Sequence, residues 1–540
     1  MPDRPVRGEA GPVAEVAGGL VRGIRDGRLL AWRGLPYAAP PRGSLRWRSP
    51  APVPAWDGVL DASDFGPVAP QPVRPRVLHG PSAYRGSEDC LTVNVQAPVD
   101  AAQDARLPVM VFIHGGGYYE GSSADFPGHG EGFAGTGRVV FVSFNYRLGP
   151  LGYLDFSRYS TLDRPFDGNL GLRDQVAALN WVHENIAALG GDPQRITVFG
   201  ESAGGNSVTT LLAVPAARGL FAQAIAQSAP ANAVYPSDLA ARWAAEFLEI
   251  LQGRLPPARH AGPVGPARTT GTGAVEALLA ASVPELLAAA HVLQERTPEA
   301  YPGAYCFAPV VDGAFLPEPP IDAIRAGRAA RLPLVIGTNE REGTVFRGRL
   351  DILPGNATRI EALFRRAPSG TGQVMRQAYP GLPRRPAAAD FGGDYGFWFP
   401  STRVADFHSR HAPVHAYRFD VAPRLLRLVG LDATHGVEMF TLFDRIDVPL
   451  ARTITSLGGR EPYARAGDRM RDHWIHFAES GTTSGTWPPY TEQDRATLII
   501  DEEDRIEHDP HRDRRMAWDG FLPRLGNPTT ATGPDTGPAG

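Results

Sequence analysis

The chain has 540 residues, of which 43% are hydrophobic and 21% are charged, so it is long enough to bury a large globular core. Its net charge is −4 at pH 7 and it carries no basic stripe or polybasic cluster, which argues against nucleic acids and anionic membranes as partners. It contains no apolar run of about 18 residues and no apolar N-terminal signal core, so we expect no membrane span and a cytoplasmic protein.

The predicted elements alternate between strands and helices, which indicates a mostly parallel sheet with helices on both faces. An apolar strand over 109–113 ends in a glycine run, and a second buried strand covers 139–146. The next segment carries apolar residues at spacings of four, three, three and four, which predicts a helix with one buried stripe. That stripe consists of Leu172, Val176, Leu179, Val182 and Ile186.

Ser202 lies between a short predicted strand, 195–200, and a segment whose apolar residues suit the inner face of a helix. The position of Ser202 is therefore a strand–turn–helix junction. Further predicted elements follow: strands over 223–228, 332–337 and 414–419, and a late helix carrying Met470, Trp474 and Phe477.

We expect a single domain over 1–525. The stretch 253–273 is rich in proline and glycine and has no periodicity, but a helical pattern resumes directly after it. This arrangement indicates a surface insertion rather than a linker between domains. The composition of 526–540 predicts a disordered tail.

Two glycine motifs carry the chemical information. Gly200-x-Ser202-x-Gly204 fits the turn that presents a nucleophilic serine in hydrolases, although alone it is a weak signal. His114-Gly115-Gly116-Gly117 follows a predicted strand, and a triple-glycine loop exposes backbone N–H groups that can stabilise an oxyanion. Together, in this order and each at a strand end, the motifs favour a hydrolase with Ser202 as nucleophile.

Two features of the composition narrow the chemistry further. The chain contains no lysine, which excludes Schiff-base chemistry and a Ser-Lys dyad. Its two cysteines, Cys90 and Cys306, cannot form a disulfide framework or a cysteine-rich zinc site, and we expect both to be reduced. We expect no cofactor and no metal.

The chain resembles the type-B carboxylesterases, an α/β-hydrolase family that also contains the cholinesterases, and looks like a bacterial-type member. The resemblance implies an α/β-hydrolase fold with large loop insertions. It rests on blocks spread over nearly the whole length, among them RGLPYAAPPRGSLRW, SEDCLTVNV, VFIHGGGYYEGS, FNYRLGPLGYL, GGDPQRITVFGESAGG, FAPVVDG, GTNEREG and THGVE.

The resemblance also implies the remaining catalytic groups. The acid of the family precedes a glycine in a segment matched by GTNEREG, which assigns Glu342, with Glu340 as the fallback. The base corresponds to His435 in THGVE. The oxyanion donors correspond to the backbone N–H groups of Gly116, Gly117 and Ala203.

From the residues alone, His435 is favoured because it lies in a glycine-flanked loop after a strand, but the assignment stays open. The other histidines beyond the predicted acid are His408, His411, His415, His473, His476, His508 and His511.

Several polar and aromatic residues have two interpretations. Glu201 and Ser228 either support the catalytic groups or are ordinary buried, hydrogen-bonded side chains. Four aromatic residues either line the pocket or pack in the core: Tyr118, Tyr119, Trp398 and Phe399.

The chain departs from the family pattern at two points. No cysteine precedes Cys90, so a crosslinked loop of many secreted members is missing. The choline-binding loop has no convincing match, and we do not expect cholinesterase activity.

The resulting hypothesis is a serine carboxylesterase that hydrolyses small-molecule carboxylic esters through a Ser-His-Glu triad and a covalent acyl-enzyme. Because a neutral imidazole must act as base, activity is expected to rise through about pH 6 to 7. The alternatives are a lipase, a carbamate or amide hydrolase, and a catalytically silent binding protein of the same fold. We expect a monomer or a small homo-oligomer.

Overall fold

The computed structural model describes residues 9–72, 86–100, 106–125, 129–255, 271–346 and 351–522. The predicted tail, 526–540, and most of the predicted insertion lie outside these residues. The strands are Glu9–Val16 (β1), Gly19–Asp26 (β2), Leu29–Pro36 (β3), Val59–Asp61 (β4), Thr92–Pro98 (β5), Leu107–Ile113 (β6), Val140–Phe144 (β7), Gly191–Glu201 (β8), Gln223–Gln227 (β9), Tyr235–Pro236 (β10), Val310–Val311 (β11), Leu334–Asn339 (β12), Val414–Phe419 (β13), Ala496–Ile500 (β14) and Arg505–His508 (β15).

The α-helices alternate with these strands along much of the chain. They are Glu131–Ala134 (α1), Gly149–Gly152 (α2), Leu170–Asn185 (α3), Ala203–Leu211 (α4), Ser237–Leu251 (α5), Gly271–Ala280 (α6), Val283–Ala300 (α7), Pro320–Arg325 (α8), Ala357–Arg366 (α9), Thr371–Ala378 (α10), Ala387–Gly393 (α11), Phe399–His408 (α12), Arg424–Leu428 (α13), Glu438–Leu442 (α14), Pro449–Ile454 (α15), Arg460–Ser480 (α16) and Arg512–Phe521 (α17).

One 13-stranded sheet organises the described residues, in the order β1-β2-β3-β5-β7-β6-β8-β9-β12-β13-β14-β15, with β4 paired to β2. The central strands, from β7 through β14 in that order, pair in parallel, whereas β1, β2, β3 and β5 on one side and β15 on the other pair antiparallel. The mostly parallel α/β-hydrolase sheet predicted from the sequence is therefore present.

Helices cover both faces of the sheet, and successive side chains of each central strand point alternately into the hydrophobic cluster on one face and the cluster on the other. In β6, Val109 and Val111 belong to one hydrophobic cluster and Met110 and Phe112 to the other. Helix α3 packs four residues of its predicted stripe into the first cluster, whereas the fifth, Ile186, joins the same cluster from the 3₁₀ turn that follows the helix. Helix α16 contributes Met470, Trp474 and Phe477 to the second.

The register of the parallel strands brings their carboxyl ends to one edge. Ile113 at the end of β6 pairs with Gly200 of β8, and Glu201 pairs with Gln227 of β9. Gln227 also pairs with Gly337 of β12. The segments that follow these strands therefore start side by side, as expected for a site in an open parallel sheet.

Two further features complete the fold. Cys90 and Cys306 are both buried and unbonded, as predicted. Among the described residues, no single helix is long and apolar enough to cross a membrane. One pair of helices, Gly273–Ala280 and Val283–Ala300, has the combined length and composition of a membrane span, but the two are bent by 113° relative to each other.

Candidate active site

Ser202 occupies a sharp turn between β8 and α4. Its backbone adopts φ 59° and ψ −122°, outside the helical and extended regions, and the side chain is partly exposed. The turn is held by the N–H of Ser202, which donates to the carbonyl of Gln227 at 3.0 Å. Gly200 and Gly204 are required by crowding: a Cβ on Gly204 would lie 2.0 Å from the carbonyl oxygen of Ile113. The structure therefore has the strained elbow that exposes a serine at the start of a helix.

The triple-glycine loop lies directly against this elbow. A Cβ added to Gly115 would lie 2.6 Å from the carbonyl oxygen of Glu201 and 3.1 Å from Cβ of Ser202. Gly116 and Gly117 both adopt positive φ, at 107° and 62°. Only glycine takes such a sequence of conformations without strain, so the loop can approach the serine closely.

The predicted oxyanion donors lie at this junction. Within the described ranges, the structure shows no protein acceptor for the backbone N–H groups of Gly116, Gly117 and Ala203. Ala203 is the first residue of α4, where helix geometry leaves N–H groups unpaired and the helix dipole is positive. These amides are chemically suited to bind a developing negative charge.

Glu342 and His435 are in direct contact, although they are far apart in the sequence. Nδ1 of His435 lies 2.6 Å from Oε2 of Glu342, and both side chains are buried. The other carboxylate oxygen of Glu342 accepts from the N–H of Asn339 at 2.7 Å and from Oγ of Ser228 at 2.6 Å. These bonds fix the carboxylate, which in turn orients the imidazole.

The opposite ring nitrogen of His435 faces the elbow. Nε2 lies 3.1 Å from Oε1 of Glu201, the residue that precedes Ser202. Among the described residues Oε1 of Glu201 has no hydrogen-bond partner, so this contact is electrostatic rather than an aligned hydrogen bond. The predicted histidine and glutamate are thus in contact, and the histidine faces the turn that carries Ser202, although no hydrogen bond joins Ser202 and His435 among the described residues.

The carboxylates set the charge state of the imidazole. Burial alone would lower the pKa of His435, but Glu201 and Glu342 outweigh it and raise the pKa to about 9. Burial raises the pKa of Glu201 to about 7, with His435 opposing the rise and Glu342 adding to it. The protonated imidazole is therefore strongly stabilised in the resting site.

A third carboxyl, Glu438, lies behind this pair and was not predicted from the sequence. Its Oε2 accepts from Nδ2 of Asn339 at 2.5 Å, and Nε2 of Gln227 lies 3.5 Å from its Oε1. Burial, together with Glu201 and Glu342, raises the pKa of Glu438 to about 8, so it is mostly uncharged at neutral pH. Glu438 lies three residues after His435 in THGVE, so the sequence places it near the histidine, but it does not indicate the direction of the Glu438 side chain.

Two aromatic rings that the sequence did not single out cover the imidazole. The ring centroid of Phe397 lies 4.3 Å from that of His435, and Phe346 lies at 5.1 Å. The two phenylalanines also stack on each other at 5.4 Å. Phe346 lies four residues after Glu342, and this short spacing is the only feature of the sequence that could have placed a ring near the imidazole. Phe397 lies more than fifty residues after Glu342, so its position gives no such indication.

The four aromatic residues considered from the sequence have other partners. Tyr118 donates to Oδ1 of Asn206 at 2.5 Å, and Tyr119 stacks on Phe307 at 5.3 Å. Phe399 stacks on Trp518 at 5.8 Å, and Trp398 meets the ring of His511 edge-on at 5.7 Å. These contacts favour the core-packing interpretation.

The fallback acid and the other histidines lie elsewhere. Glu340 is exposed, whereas Glu342 is buried. His415 lies in β13, and His473 and His476 lie in α16, as predicted. His508 is exposed beside Asp494, and His511 is half-buried, with its Nε2 3.1 Å from Nη1 of Arg418. Among the described residues, no cluster of His, Cys, Asp and Glu is arranged to hold a metal ion.

Comparison with known proteins identifies the family. The carboxylesterase family model matches residues 10–518. The chain is 36% identical over 510 residues to the para-nitrobenzyl esterase of Bacillus subtilis (strain 168), which covers 92% of this chain and 96% of that protein. It is 34% identical over 507 residues to the phenmedipham hydrolase of Pseudarthrobacter oxydans, covering 91% and 95%.

A solved structure of PNB esterase aligns with a TM-score of 0.80 at 34% identity, over 94% of this chain and 99% of that one. The fold seen here is thus shared along almost the full length of both chains. The chain belongs to the carboxylesterase family and is a carboxylic ester hydrolase.

Proposed function

We propose that the protein is a serine carboxylesterase that hydrolyses small-molecule esters through a Ser202–His435–Glu342 triad and a covalent acyl-enzyme. The observation that carries the proposal is the 2.6 Å contact between Nδ1 of His435 and Glu342, with Nε2 of the same ring turned toward the elbow of Ser202. This is the arrangement in which a carboxylate orients an imidazole that serves as base for a serine hydroxyl.

Acylation begins when Nε2 of His435 accepts the proton of Ser202 as Oγ attacks the ester carbonyl carbon. The carbonyl oxygen becomes negatively charged and is bound by the N–H groups of Gly116, Gly117 and Ala203. Such donors are effective because they are aimed before the charge develops; the loss of one costs roughly 3 kcal/mol of transition-state stabilisation. His435 then protonates the departing alcohol.

Deacylation repeats these steps with water as the nucleophile. His435 accepts a proton from water, the hydroxide oxygen attacks the acyl carbon, and the collapsing intermediate returns Oγ to Ser202 with the proton from His435. Glu342 remains ionised throughout and stabilises the imidazolium formed in each half-reaction.

Glu201 competes for the nitrogen that this mechanism needs. Its carboxylate lies 3.1 Å from Nε2 of His435 in the resting structure. A protonated ring paired with Glu201 cannot accept a proton from Ser202, so the active form is the neutral ring. Glu201 therefore sets the pH range of activity, while its charge also stabilises the imidazolium in the transition state.

The para-nitrobenzyl esterase relative suggests the first substrate to test. We expect purified protein to hydrolyse a para-nitrobenzyl ester, and Ser202→Ala to reduce kcat by about 10⁴-fold or more. Ser456→Ala, at an exposed position, serves as the matched serine control and retains wild-type kcat.

Covalent catalysis is tested by the site of modification. Rapid quenching during turnover, followed by mass spectrometry of peptides, should show the acyl group on Ser202. A fluorophosphonate should label the same residue in wild type and not in Ser202→Ala. Comparable turnover in the alanine variant, or an acyl group on another residue, contradicts the triad; a wild type that neither turns over nor is labelled indicates the catalytically silent alternative.

A further inference from the structure

Arg341 directly precedes the proposed acid and binds two aspartates from separate segments. Its Nη1 lies 2.5 Å from Oδ2 of Asp432, and its Nε lies 2.9 Å from Oδ1 of Asp390. The backbone N–H of Arg341 also donates to the carbonyl of Ala433 at 3.0 Å. The side chain of Arg341 is only 20% exposed, and those of Asp390 and Asp432 are 16% and 27% exposed, so water screens these ion pairs less than it screens surface pairs.

The two aspartates belong to the segments that hold the imidazole. Asp432 lies three residues before His435, in the same loop. Asp390 lies in α11, which continues without a break into a π-helical turn, Asp394–Trp398. That turn carries Phe397, whose ring lies 4.3 Å from the imidazole of His435.

The turn that carries Glu342, residues 341–345 and here called the acid turn, is packed tightly onto α11. A Cβ on Gly343 would lie 1.9 Å from the carbonyl oxygen of Ala389, and a Cβ on Gly393 would lie 2.4 Å from the amide nitrogen of Gly343. Since Arg341 is covalently joined to Glu342, one guanidinium connects the three supports of His435. These supports are Glu342, the loop 429–437 that carries His435 (the base loop), and helix α11, which leads to Phe397 over the imidazole.

We infer that Arg341 is a positioning residue, which fixes the geometry of the Glu342–His435 pair by clamping the base loop and α11 to the acid turn. The inference rests on the proposed function, because it assigns Arg341 a role in holding the proposed acid and base. The planar guanidinium suits the role because it binds two carboxylates in fixed directions, which a lysine ammonium cannot do.

Uncharged hydrogen bonds also join the turn of Glu342 to the loop of His435, and they limit the effect of removing Arg341. Oγ1 of Thr344 donates to the carbonyl of Leu431 at 2.6 Å and lies 2.8 Å from Oγ1 of Thr434. These bonds also join the acid turn to the base loop. Loss of Arg341 should therefore loosen the pair without separating the two segments.

Arg341→Met should reduce kcat for ester hydrolysis about tenfold or more, with a smaller change in KM, because misplacement of catalytic groups by fractions of an ångström lowers the rate of the chemical step. Arg341→Lys should recover only part of this loss. Asp432→Asn removes one partner and tolerates the φ of 52° at that position; its effect should not add to that of Arg341→Met.

Arg469→Met is the matched control. Arg469 binds Asp504 through Nε at 3.0 Å and Nη2 at 2.8 Å, on helix α16, and it makes no contact with the proposed catalytic residues. Arg469→Met removes an ion pair comparable to those of Arg341, but one that does not hold the proposed catalytic residues, so this variant should retain wild-type kcat. Equal losses of kcat in Arg341→Met and Arg469→Met would overturn the clamp, since both would then reflect general destabilisation.

A measurement without turnover separates this inference from the proposed function. Ring-proton NMR of His435, assigned by the signal lost in His435→Gln, gives the pKa of the imidazole directly. Removal of the positive charge of Arg341 would by itself raise that pKa. A lower pKa in Arg341→Met, with no change in Arg469→Met, therefore reports a looser contact between His435 and Glu342. An unchanged pKa together with unchanged kcat overturns the inference, whereas a lowered pKa supports it even in a protein that hydrolyses no ester.

Discussion

Oε1 of Glu201 lies 3.1 Å from Nε2 of His435, while Oε2 of Glu342 lies 2.6 Å from Nδ1. The imidazole is therefore placed between two carboxylates, one on each ring nitrogen. In a triad of three residues only the Nδ1 side would face a carboxylate. The second carboxylate changes the acidity of the base, and the consequences can be measured.

The pH dependence of kcat/KM should differ from that of an ordinary histidine. Because Glu201 and Glu342 raise the pKa of His435 to about 9, the ring is mostly protonated at neutral pH and becomes a competent base as the pH rises. The rate should therefore increase with pH beyond the range of about 6 to 7 expected for an unperturbed imidazole. Glu201→Gln removes one carboxylate, so the rising part of the profile should move to lower pH.

This prediction is checked by pH–rate profiles of wild type and Glu201→Gln with one ester. Glu340→Gln, at an exposed carboxyl outside the contacts of His435, is the control and should leave the profile in place. A profile that does not move in Glu201→Gln, or moves to higher pH, contradicts the role of Glu201.

Ser228 should matter for catalysis although it is not a member of the triad. Its Oγ donates to Oε1 of Glu342 at 2.6 Å, and hydrogen bonds to charged groups contribute about 1.5–3 kcal/mol. Ser228→Ala should lower kcat/KM by about tenfold, because the carboxylate is less firmly held. Steady-state kinetics beside Ser401→Ala, which loses a buried bond to the carbonyl of Ala229, separates this effect from the loss of any buried hydroxyl.

Gly115 should tolerate no side chain. In Gly115→Ala the new Cβ would lie 2.6 Å from the carbonyl oxygen of Glu201 and 3.1 Å from Cβ of Ser202, so the loop must move away from the elbow. We expect kcat to fall by about 10²-fold as the oxyanion donors are displaced. Gly485→Ala, where a Cβ has no neighbour within 4 Å, should keep wild-type kcat; an active Gly115→Ala enzyme would argue against donors in this loop.

Arg147 should be essential for stability rather than for chemistry. It forms an almost fully buried ion pair with Asp174, with Nη2 at 2.6 Å from Oδ1. Breaking such a pair leaves one charge buried, so Arg147→Met should lower the free energy of unfolding by about 3–5 kcal/mol. Denaturant unfolding measures this loss, and Arg147→Met combined with Asp174→Asn should recover part of it; a double variant less stable than the sum of the singles would contradict the explanation.

The strand pattern made much of the site predictable. The buried strands were found from apolar runs, and parallel pairing then places the segments after β6, β8 and β12 at one edge. Ser202 and the glycine loop follow from motifs with a local backbone requirement. Glu342 and His435 needed the family resemblance, because neither the spacing nor the residue type identifies which glutamate and which histidine will meet.

The remainder of the site depends on long-range packing that leaves no local pattern. Phe397 contacts the imidazole from the π-helical turn, more than fifty residues after Glu342 in the chain. Arg341 binds two aspartates that lie in two other segments. Asn339 of β12 and Gln227 of β9 fix the side-chain direction of Glu438, which lies in α14. The pH range of about 6 to 7 expected from the sequence did not include these charges, because only folding brings Glu201 and Glu342 to the imidazole, and the structure therefore predicts a higher range.

The π-helical turn Asp394–Trp398 holds one residue more than an α-helical turn. The extra residue is taken up within the turn, so α11 before it and α12 after it both keep their buried faces toward the core. Deletion of a single residue here would restore α-helical winding and leave these two helices in place. Phe397 lies inside the turn, so the ring over the imidazole is the part of the site that such a deletion would change first.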